Sequence, residues 1–275
     1  LSERMYIEQF YKLFDDKSFL EIKNIEKTTN HDIKAIEYFI KQKLTDFKCI
    51  ENYLEYVHFG LTSQDINSVT NTLCLKRSLN DIIMPKIFDV IQILNNLGST
   101  WQDVAMISKT HGQSAVTTTM GKELKVFWSR LCIQYDKLKN LKYTSKFGGA
   151  VGNLNSHYFC MENINWDEFM NEFLLNEFDI HRNQYTTQID HYDNLSEIFD
   201  ILKRINVILI DLNQDIWLYI SNNFFKLKIS TGEIGSSTMP HKVNPINFEN
   251  SEGNLHLANS MLNMFSNKLP ISRLQ

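Results

Sequence analysis

Residues that interrupt helices are scarce in this sequence. Only 10 glycines and 4 prolines occur among its 275 residues. Because glycine and proline are the residues that cost most inside a helix, this scarcity favours long, uninterrupted helices. Hydrophobic residues make up 43% of the chain, which is enough for the core of one large domain or two modest ones. We therefore predict an all-α protein.

Clustered charge and paired cysteines are also missing. The formal net charge is -4 and no block of lysine and arginine occurs, so bulk charge indicates neither a nucleic-acid partner nor a membrane surface. The four cysteines are far apart and form no CxxC pair, as expected for reduced residues of a cytoplasmic protein. No His, Cys, Asp and Glu residues have metal-ligand spacing, so we predict no metal and no cofactor.

Long apolar runs are absent as well. The most apolar segment, 198–220, carries five charged side chains, so we do not expect it to span a bilayer. The first residues lack the pattern of a signal peptide. Leu1 is not an initiator methionine, so we expect the sequence to start inside a larger protein.

What the sequence does contain is helical periodicity. Helices are predicted at 2–14, 31–44, 62–97 (interrupted at Pro85), 119–143, 165–178, 193–222 and from Pro245 to about 266. We assign residues 1–52 to a small N-terminal helical domain and residues 53–275 to a central long-helix bundle. The polar residues of the 193–222 helix form one narrow stripe. Most of its surface should therefore be covered by neighbours, in the same subunit or in others.

Two local patterns predict where helices begin. Asn30 or Asp32 is a suitable N-cap for the 31–44 helix. Thr62-x-x-Asp65 matches a capping box that opens the next helix. The predicted apolar stripe of the 31–44 helix comprises Ile33, Ile36, Phe39, Ile40 and Leu44.

A group of glycines follows the 119–143 helix. Gly148, Gly149 and Gly152 would suit either a phosphate-binding loop or a tight chain reversal. Since neither GxGxxG nor GxxxxGK[ST] is present, the chain reversal is favoured.

Three polar breaks separate the long helices, around Thr62, His111 and Ser236. The third break, 232–244, has no hydrophobic period and is rich in turn residues. Its N–H groups, hydroxyls, imidazole and Lys242 ammonium suit the binding and protonation of a small anion. Asn244 and Pro245 are predicted as the N-cap and first residue of the next helix, whose N-terminus would add positive charge. A plain connector is the alternative that these residues leave open.

The three polar breaks resemble the signature regions of one superfamily. Gly235-Ser-Ser-Thr-Met-Pro-His-Lys-Val-Asn-Pro245 is similar to the signature GSSxMPxKxNP of the fumarase/aspartase superfamily. Thr62-Ser-Gln-Asp-Ile66 and Thr110-His-Gly-Gln113 resemble its other two signature regions.

Three further segments are similar to the bacterial-type adenylosuccinate lyase branch of that superfamily. They are Thr28–Asp32, Tyr185–Asp190 and Asn247–Asn254. The similarity extends over the whole chain with two small departures: Asp190 stands where Glu is commoner, and Ser114 stands where Pro often follows.

The resemblance implies a fold, an assembly and a reaction. The fold would be an all-α bundle of long helices, four of whose copies form a homotetramer with shared active sites. A further C-terminal helical domain of the family is absent from this chain. The substrate would be a succinylated purine nucleotide or its ribotide precursor. Adenylosuccinate would yield AMP, and SAICAR would yield AICAR, each by β-elimination of fumarate without a cofactor.

Roles for single residues follow from the family positions that they match. Ser236 is expected to be the base, His111 the acid, and Glu249 the partner of His111. Lys242 is expected to assist the base and, with Asn244, to hold the substrate carboxylate. The positions expected to bind the nucleotide and succinyl groups are Asn30, His31, Asp32, Thr62, Ser63, Thr110 and Gln188, with His58 as an additional candidate.

Two alternatives are left open. The first is another lyase of the superfamily, such as argininosuccinate lyase or fumarase, although Thr28–Asp32 and Thr186–Ile189 speak against it. The second is a non-catalytic structural relative that keeps only the bundle, as crystallin-type relatives do. The joint presence of the four expected catalytic residues speaks against this second alternative.

Overall fold

The computed structural model describes residues 10–45, 47, 50–228, 238–239, 242–273 and 275. The chain divides into two compact units that are each discontinuous in sequence. Unit 1 comprises residues 1–73, 143–190 and 272–275, and unit 2 comprises residues 74–142 and 191–271. The predicted domain boundary at residues 52 and 53 is a different division and stays a prediction.

Unit 1 contains short and medium helices with one minimal sheet. Its elements are the 3-10 helices Phe10–Leu13 and Glu51–Tyr56, α1 (Asp16–Thr29), α2 (Asp32–Leu44), the greater part of α3 (Ser63–Ser78), β3 (Thr144–Ser145), α6 (Asn155–Cys160), α7 (Trp166–Phe178) and β4 (His181–Arg182). Strands β3 and β4 pair in parallel. Of the predicted 2–14 helix, residues 10–13 form the first of the two 3-10 helices, Phe14 is not helical, and residues 2–9 lie outside the described residues.

Helix α2 begins where the periodicity predicts, but its cap is a different residue. The Nδ1 atom of His31 accepts the Lys34 N–H at 3.3 Å, so His31 is the N-cap. Asn30 instead ends α1 in the left-handed conformation, with φ 50°. Both predicted caps were therefore wrong by one residue. The stripe prediction was wrong at Ile36, which is 37% exposed.

Unit 2 contains the long helices. Its elements are the end of α3, a π-helical turn (Leu79–Ile83), α4 (Met84–Thr100), β1 (Ala105–Thr110), β2 (Gln113–Thr119), α5 (Met120–Lys139), α8 (Asp193–Ser221) and α9 (Ile246–Lys268). The fold-class prediction of a long-helix bundle is confirmed within this unit. The predicted interruption at Pro85 is also confirmed, because the π-helical turn ends directly before α4, which has Pro85 in its first turn.

Two glycines let α4 and α5 approach closely. The helix was predicted to end at residue 97, directly before Gly98, but α4 continues to Thr100 and buries Gly98. A Cβ atom on Gly121 of α5 would lie 2.3 Å from the Gly98 carbonyl oxygen. Close backbone packing, and not helix termination, therefore explains Gly98.

The second polar break is a β-hairpin, which the helical interpretation did not predict. β1 and β2 pair antiparallel, with Thr110 opposite Gln113. The register shifts between Ile107 and Lys109, where the Ser108 hydroxyl donates to the Val116 carbonyl at 2.5 Å. Val116-Thr-Thr-Thr119 is rich in β-branched residues, which favour strands. The all-α class holds for the bundle with this hairpin as an exception.

No helix in the described part of the chain combines the length and the apolar character that a bilayer span requires.

Candidate active site

Unit 1 brings two of the expected substrate-binding residues into contact. The Nε2 atom of His31 lies 3.2 Å from the Ser63 hydroxyl oxygen. Because Nδ1 of the same ring accepts the Lys34 N–H, Nε2 carries the proton of the neutral ring and donates to Ser63. This contact joins the start of α2 to the start of α3. Both side chains keep access to solvent.

The start of α3 is held by a carboxylate from within the helix. Asp65 Oδ2 accepts the Thr62 N–H at 2.8 Å, which is one half of the predicted capping box. Asp65 Oδ1 accepts the Gly148 N–H at 2.8 Å, and Gly149 N–H donates to Oδ2 at 3.1 Å. The N–H groups of the glycine loop therefore bind the carboxylate of Asp65. This arrangement fits the predicted chain reversal better than a phosphate site.

His58 lies beside this segment and is partly buried. Burial lowers the pKa of His58 below its ordinary value, while the negative charge of Glu37 opposes the shift. A neutral imidazole is thus favoured at this position near neutral pH. A neutral imidazole can donate one hydrogen bond and accept another.

The other predicted ligands of unit 1 are accessible but are not brought together by direct contacts. Asn30 and Asp32 flank His31 and are exposed, and Gln188 is exposed in the segment before Asp190. No hydrogen bond in the described residues joins Gln188 to His31 or Ser63. Their shared role stays a prediction.

In unit 2, the predicted acid lies at the tip of the hairpin. His111 and Gly112 form the two-residue turn between β1 and β2, with φ 55° and 74°. Two positive φ angles in a two-residue loop are typical of a type I′ turn, whose twist matches that of the strands. Thr110 and His111 are exposed there, so the imidazole is open to solvent at the end of the hairpin.

A cavity of about 410 Å³ lies beside the hairpin within unit 2. Its polar lining includes Lys109, Glu123, Asp215 and Tyr219. Burial raises the pKa of Asp215, and the negative charges of Asp211 and Glu123 add to the shift. Burial also raises the pKa of Tyr219 above its ordinary value. The sequence showed Asp215 only as one member of a polar stripe on the long helix.

The remaining predicted residues lie at the start of α9. Lys242 and Glu249 are exposed, and Asn244 is partly exposed. The helix begins at Ile246 with Pro245 as its N-cap residue, and it has no side-chain cap. The prediction of Asn244 as N-cap was therefore wrong by one residue. Ser236 and His241 lie outside the described residues, as does most of the 232–244 loop.

The predicted partnership of His111 with Glu249 is not formed within one chain. Among the described residues, no hydrogen bond or ion pair joins these two side chains. The predicted roles of all the site residues stay predictions.

A buried ion pair in unit 1 was missed by the sequence analysis. Lys146 and Asp65 are both fully buried, and Lys146 Nζ lies 2.6 Å from Asp65 Oδ1. Burial lowers the pKa of Lys146, and the charge of Asp65 opposes this shift. Lysine is rarely buried unless it is paired. The sequence next to Lys146 does not distinguish it from a surface lysine. Its burial depends on a contact with Asp65, which is far away in the sequence.

The family of the chain follows from comparison with known proteins. A family model described as "Lyase" matches residues 5–258. The chain therefore belongs to this lyase family.

Two similar proteins are both named adenylosuccinate lyase. The adenylosuccinate lyase of Dictyostelium discoideum is 48% identical over 273 residues, covering 98% of this chain and 59% of that protein. The adenylosuccinate lyase of Escherichia coli strain K12 is 43% identical, again over 98% of this chain and 59% of that protein. This chain thus spans about three fifths of the length of these relatives.

Solved structures confirm the fold at lower sequence identity. The 3-carboxy-cis,cis-muconate lactonizing enzyme from Pseudomonas putida aligns with a TM-score of 0.74 at 22% identity, covering 96% of this chain and 57% of that one. A fumarate lyase from Mesorhizobium sp. BNC1 also gives a TM-score of 0.74, at 18% identity, covering 99% and 59% of the two chains. At such identities the similarity establishes the fold alone.

Proposed function

We propose that the protein catalyses the adenylosuccinate lyase reaction, releasing fumarate from adenylosuccinate to give AMP and from SAICAR to give AICAR. The observation that carries the proposal is the identity of 43–48% to adenylosuccinate lyases over nearly the whole chain. The reaction belongs to purine nucleotide biosynthesis, and we propose a cytoplasmic location and no nucleic-acid or membrane partner.

The reaction is a β-elimination of an amine. A base removes a proton from the succinyl carbon next to one carboxylate, and the electron pair forms the carbon–carbon double bond of fumarate. The carbon–nitrogen bond breaks, and an acid protonates the departing nitrogen. Each of these proton transfers contributes roughly 10²–10⁴ in rate when the group is well placed.

Each step has a proposed residue. Ser236 takes the proton and His111 protonates the nitrogen. Lys242 and Asn244 hold the carboxylate on which negative charge develops, at the start of α9 where the helix dipole adds positive charge. Glu249, in the first turn of the same helix, fixes the tautomer of His111.

The predicted substrate-binding residues of unit 1, and Thr110 of unit 2, are proposed to bind the nucleotide and succinyl groups. The contact between His31 and Ser63 supports this, because it leaves two hydrogen-bonding side chains side by side and accessible. The exposed residues Asn30, Asp32 and Gln188, together with Thr62, offer amide, carboxylate and hydroxyl groups. Such groups suit a nucleobase and a ribose.

The active site is proposed to be shared among subunits of a homotetramer. Within one chain no hydrogen bond or ion pair joins the described side chains of His111 and Glu249, as expected if the partner of His111 belongs to another subunit. Helix α9 has no buried residue among its 23, although it carries several large apolar side chains. Those at least half exposed are Ile246, Leu257, Met261 and Met264. A helix of this kind is stabilised when further helices cover it.

The test is an ultraviolet absorbance assay with full-length protein. Adenylosuccinate and SAICAR should be consumed, whereas argininosuccinate and malate, assayed in parallel, should not. Ser236→Ala and His111→Ala should each remove nearly all activity. Turnover of argininosuccinate or malate in preference to adenylosuccinate would replace the proposed substrate, and absence of turnover on all four compounds would favour a non-catalytic relative.

A further inference from the structure

Five buried polar side chains of unit 1 form a group that takes part in no step of the proposed reaction. We call it the buried polar cluster, and each member is at most 1% exposed. Its members are Asp65, Ser68, Ser145, Lys146 and Asp190. Burying charged groups and hydroxyls costs free energy unless they are paired. The pairing pattern of the cluster therefore decides which segments of unit 1 it holds together.

Lys146 links two segments that carry proposed substrate ligands. Its ammonium lies 2.6 Å from Asp65 Oδ1, and Asp65 in turn accepts the N–H of Thr62. Its main-chain N–H donates to Asp190 Oδ2 at 3.0 Å. Asp190 ends the segment that contains Gln188. One residue thus reaches the Thr62 segment with its side chain and the Gln188 segment with its backbone.

Ser68 adds a direct link between the same two segments. It lies on α3, three residues after Asp65, and its hydroxyl donates to Asp190 Oδ2 at 2.6 Å. The hydroxyl also lies 2.7 Å from that of Ser145. A hydrogen bond to a carboxylate is roughly twice as strong as one between neutral groups. The Ser68–Asp190 bond is therefore expected to hold α3 more firmly than the Ser68–Ser145 contact.

The glycines after Lys146 keep the two segments at short range. A Cβ atom on Gly152 would lie 2.1 Å from the Thr186 carbonyl oxygen, and one on Gly149 would lie 3.0 Å from the Gly60 carbonyl oxygen. Both glycines also have positive φ angles, 86° and 77°. No other residue fits at Gly152 without moving the Thr186 backbone.

We propose that the buried polar cluster apart from Ser145, together with Gly149 and Gly152, positions the Thr62–Ser63 and Thr186–Gln188 segments relative to each other. This positioning thereby determines the affinity for the succinylated nucleotide. Ser68, Lys146 and Asp190 are positioning residues, because they are buried and act through the segments that they join. The identity of the ligand rests on the proposed function, whereas the links between the two segments do not.

The experiment compares two deletions of a buried hydroxyl in full-length protein. Both variants lose the contact between the two serines. Only Ser68→Ala also loses the hydrogen bond to Asp190, which Ser145→Ala leaves in place. We expect Ser68→Ala to raise KM for adenylosuccinate roughly tenfold and to keep kcat within about twofold. This is the result expected when the bound substrate and the transition state lose the same binding energy. Ser145→Ala should keep KM within about twofold of wild type.

A second readout does not depend on activity. Hydrogen exchange of the free protein should become faster in peptides 58–65 and 185–189, which contain the two segments, in Ser68→Ala. It should change in neither peptide in Ser145→Ala. If Ser68→Ala does not fold, Asn183→Ala serves in its place, because the Asn183 amide donates to Asp190 Oδ1 at 2.9 Å and is less buried.

The two proposals fail in different ways. If wild-type protein does not turn over adenylosuccinate, the proposed function fails, and hydrogen exchange alone decides the positioning role. Equal changes in both serine variants, or no change in either, would overturn the positioning proposal while leaving the function intact.

Discussion

Among single residues, the buried His157 links the stability of unit 1 to pH. It is 1% exposed, and its ring lies edge-on to Phe59 at 5.3 Å and 4.9 Å from the Trp166 ring, measured between centroids. Burial lowers the pKa of His157 below its ordinary value of 6.5, although the charge of Asp65 opposes the shift. An imidazolium at this place would lose its hydration among aromatic rings.

His157 is therefore expected to make the folded protein less stable in acid. Below pH 6.5 the unfolded chain takes up a proton that the folded state binds only at lower pH, so the free energy of unfolding falls as pH falls through this range. One such proton contributes at most about 1.4 kcal/mol per pH unit. We expect His157→Phe to flatten this dependence when urea midpoints are measured at several pH values between neutrality and pH 5.

The matched control is His256→Gln, because the His256 side chain is 62% exposed. It should leave the acid-dependent loss unchanged. An equally steep loss in His157→Phe and in wild type would show that other groups are responsible.

Among structural elements, the hairpin that carries His111 determines how this proposed acid is presented. Its two-residue turn requires a positive φ at Gly112, 74°, and a Cβ atom there would meet no other atom within 4 Å. Space is therefore not limiting, and the backbone conformation alone determines which residue is accepted. A residue other than glycine pays about 1 kcal/mol or more for this conformation.

Gly112→Ala is expected to shift the turn and to lower kcat by roughly tenfold or more, because small displacements of a catalytic group are costly. Gly112→Asn is the control at the same position, since asparagine adopts the left-handed conformation more readily than alanine. It should retain most of the activity in the same assay. Equal kcat values for the alanine and asparagine variants would show that the backbone conformation at Gly112 does not control His111.

At the scale of the whole molecule, the proposed sharing of each active site among subunits can be tested directly. His111 lies on the hairpin and Glu249 on α9, and within one chain no hydrogen bond or ion pair joins these two described side chains. If each site takes His111 and Ser236 from different subunits, two inactive variants can complement each other.

Full-length Ser236→Ala and His111→Ala proteins, unfolded together and reassembled, should therefore regain activity. Random mixing leaves each residue intact in half of the cases, so roughly a quarter of the sites should recover. Each variant reassembled alone is the control and should stay inactive. A mixture that exchanges subunits but stays inactive would contradict the shared site.

Much of the fold was predictable because helices depend on local patterns. The 29-residue helix α8 differs by one residue from its predicted end, and Pro85 interrupts its helix as its missing N–H requires. Thr62 and Asp65 start α3 through a bond between residues three apart. The lyase family of the chain was predictable from three loop motifs, and the matching family model confirms the family.

Chain order and residue type alone thus determined the helices, their main interruption and the family. Tertiary structure decided the rest. The hairpin at His111 depends on pairing two strands across a turn, and the cluster around Lys146 joins residues up to 122 positions apart. His31 caps its helix while it also contacts Ser63, 32 residues away. Periodicity carries no information about such distant pairs, because burial and hydrogen bonding select them only after the chain has folded.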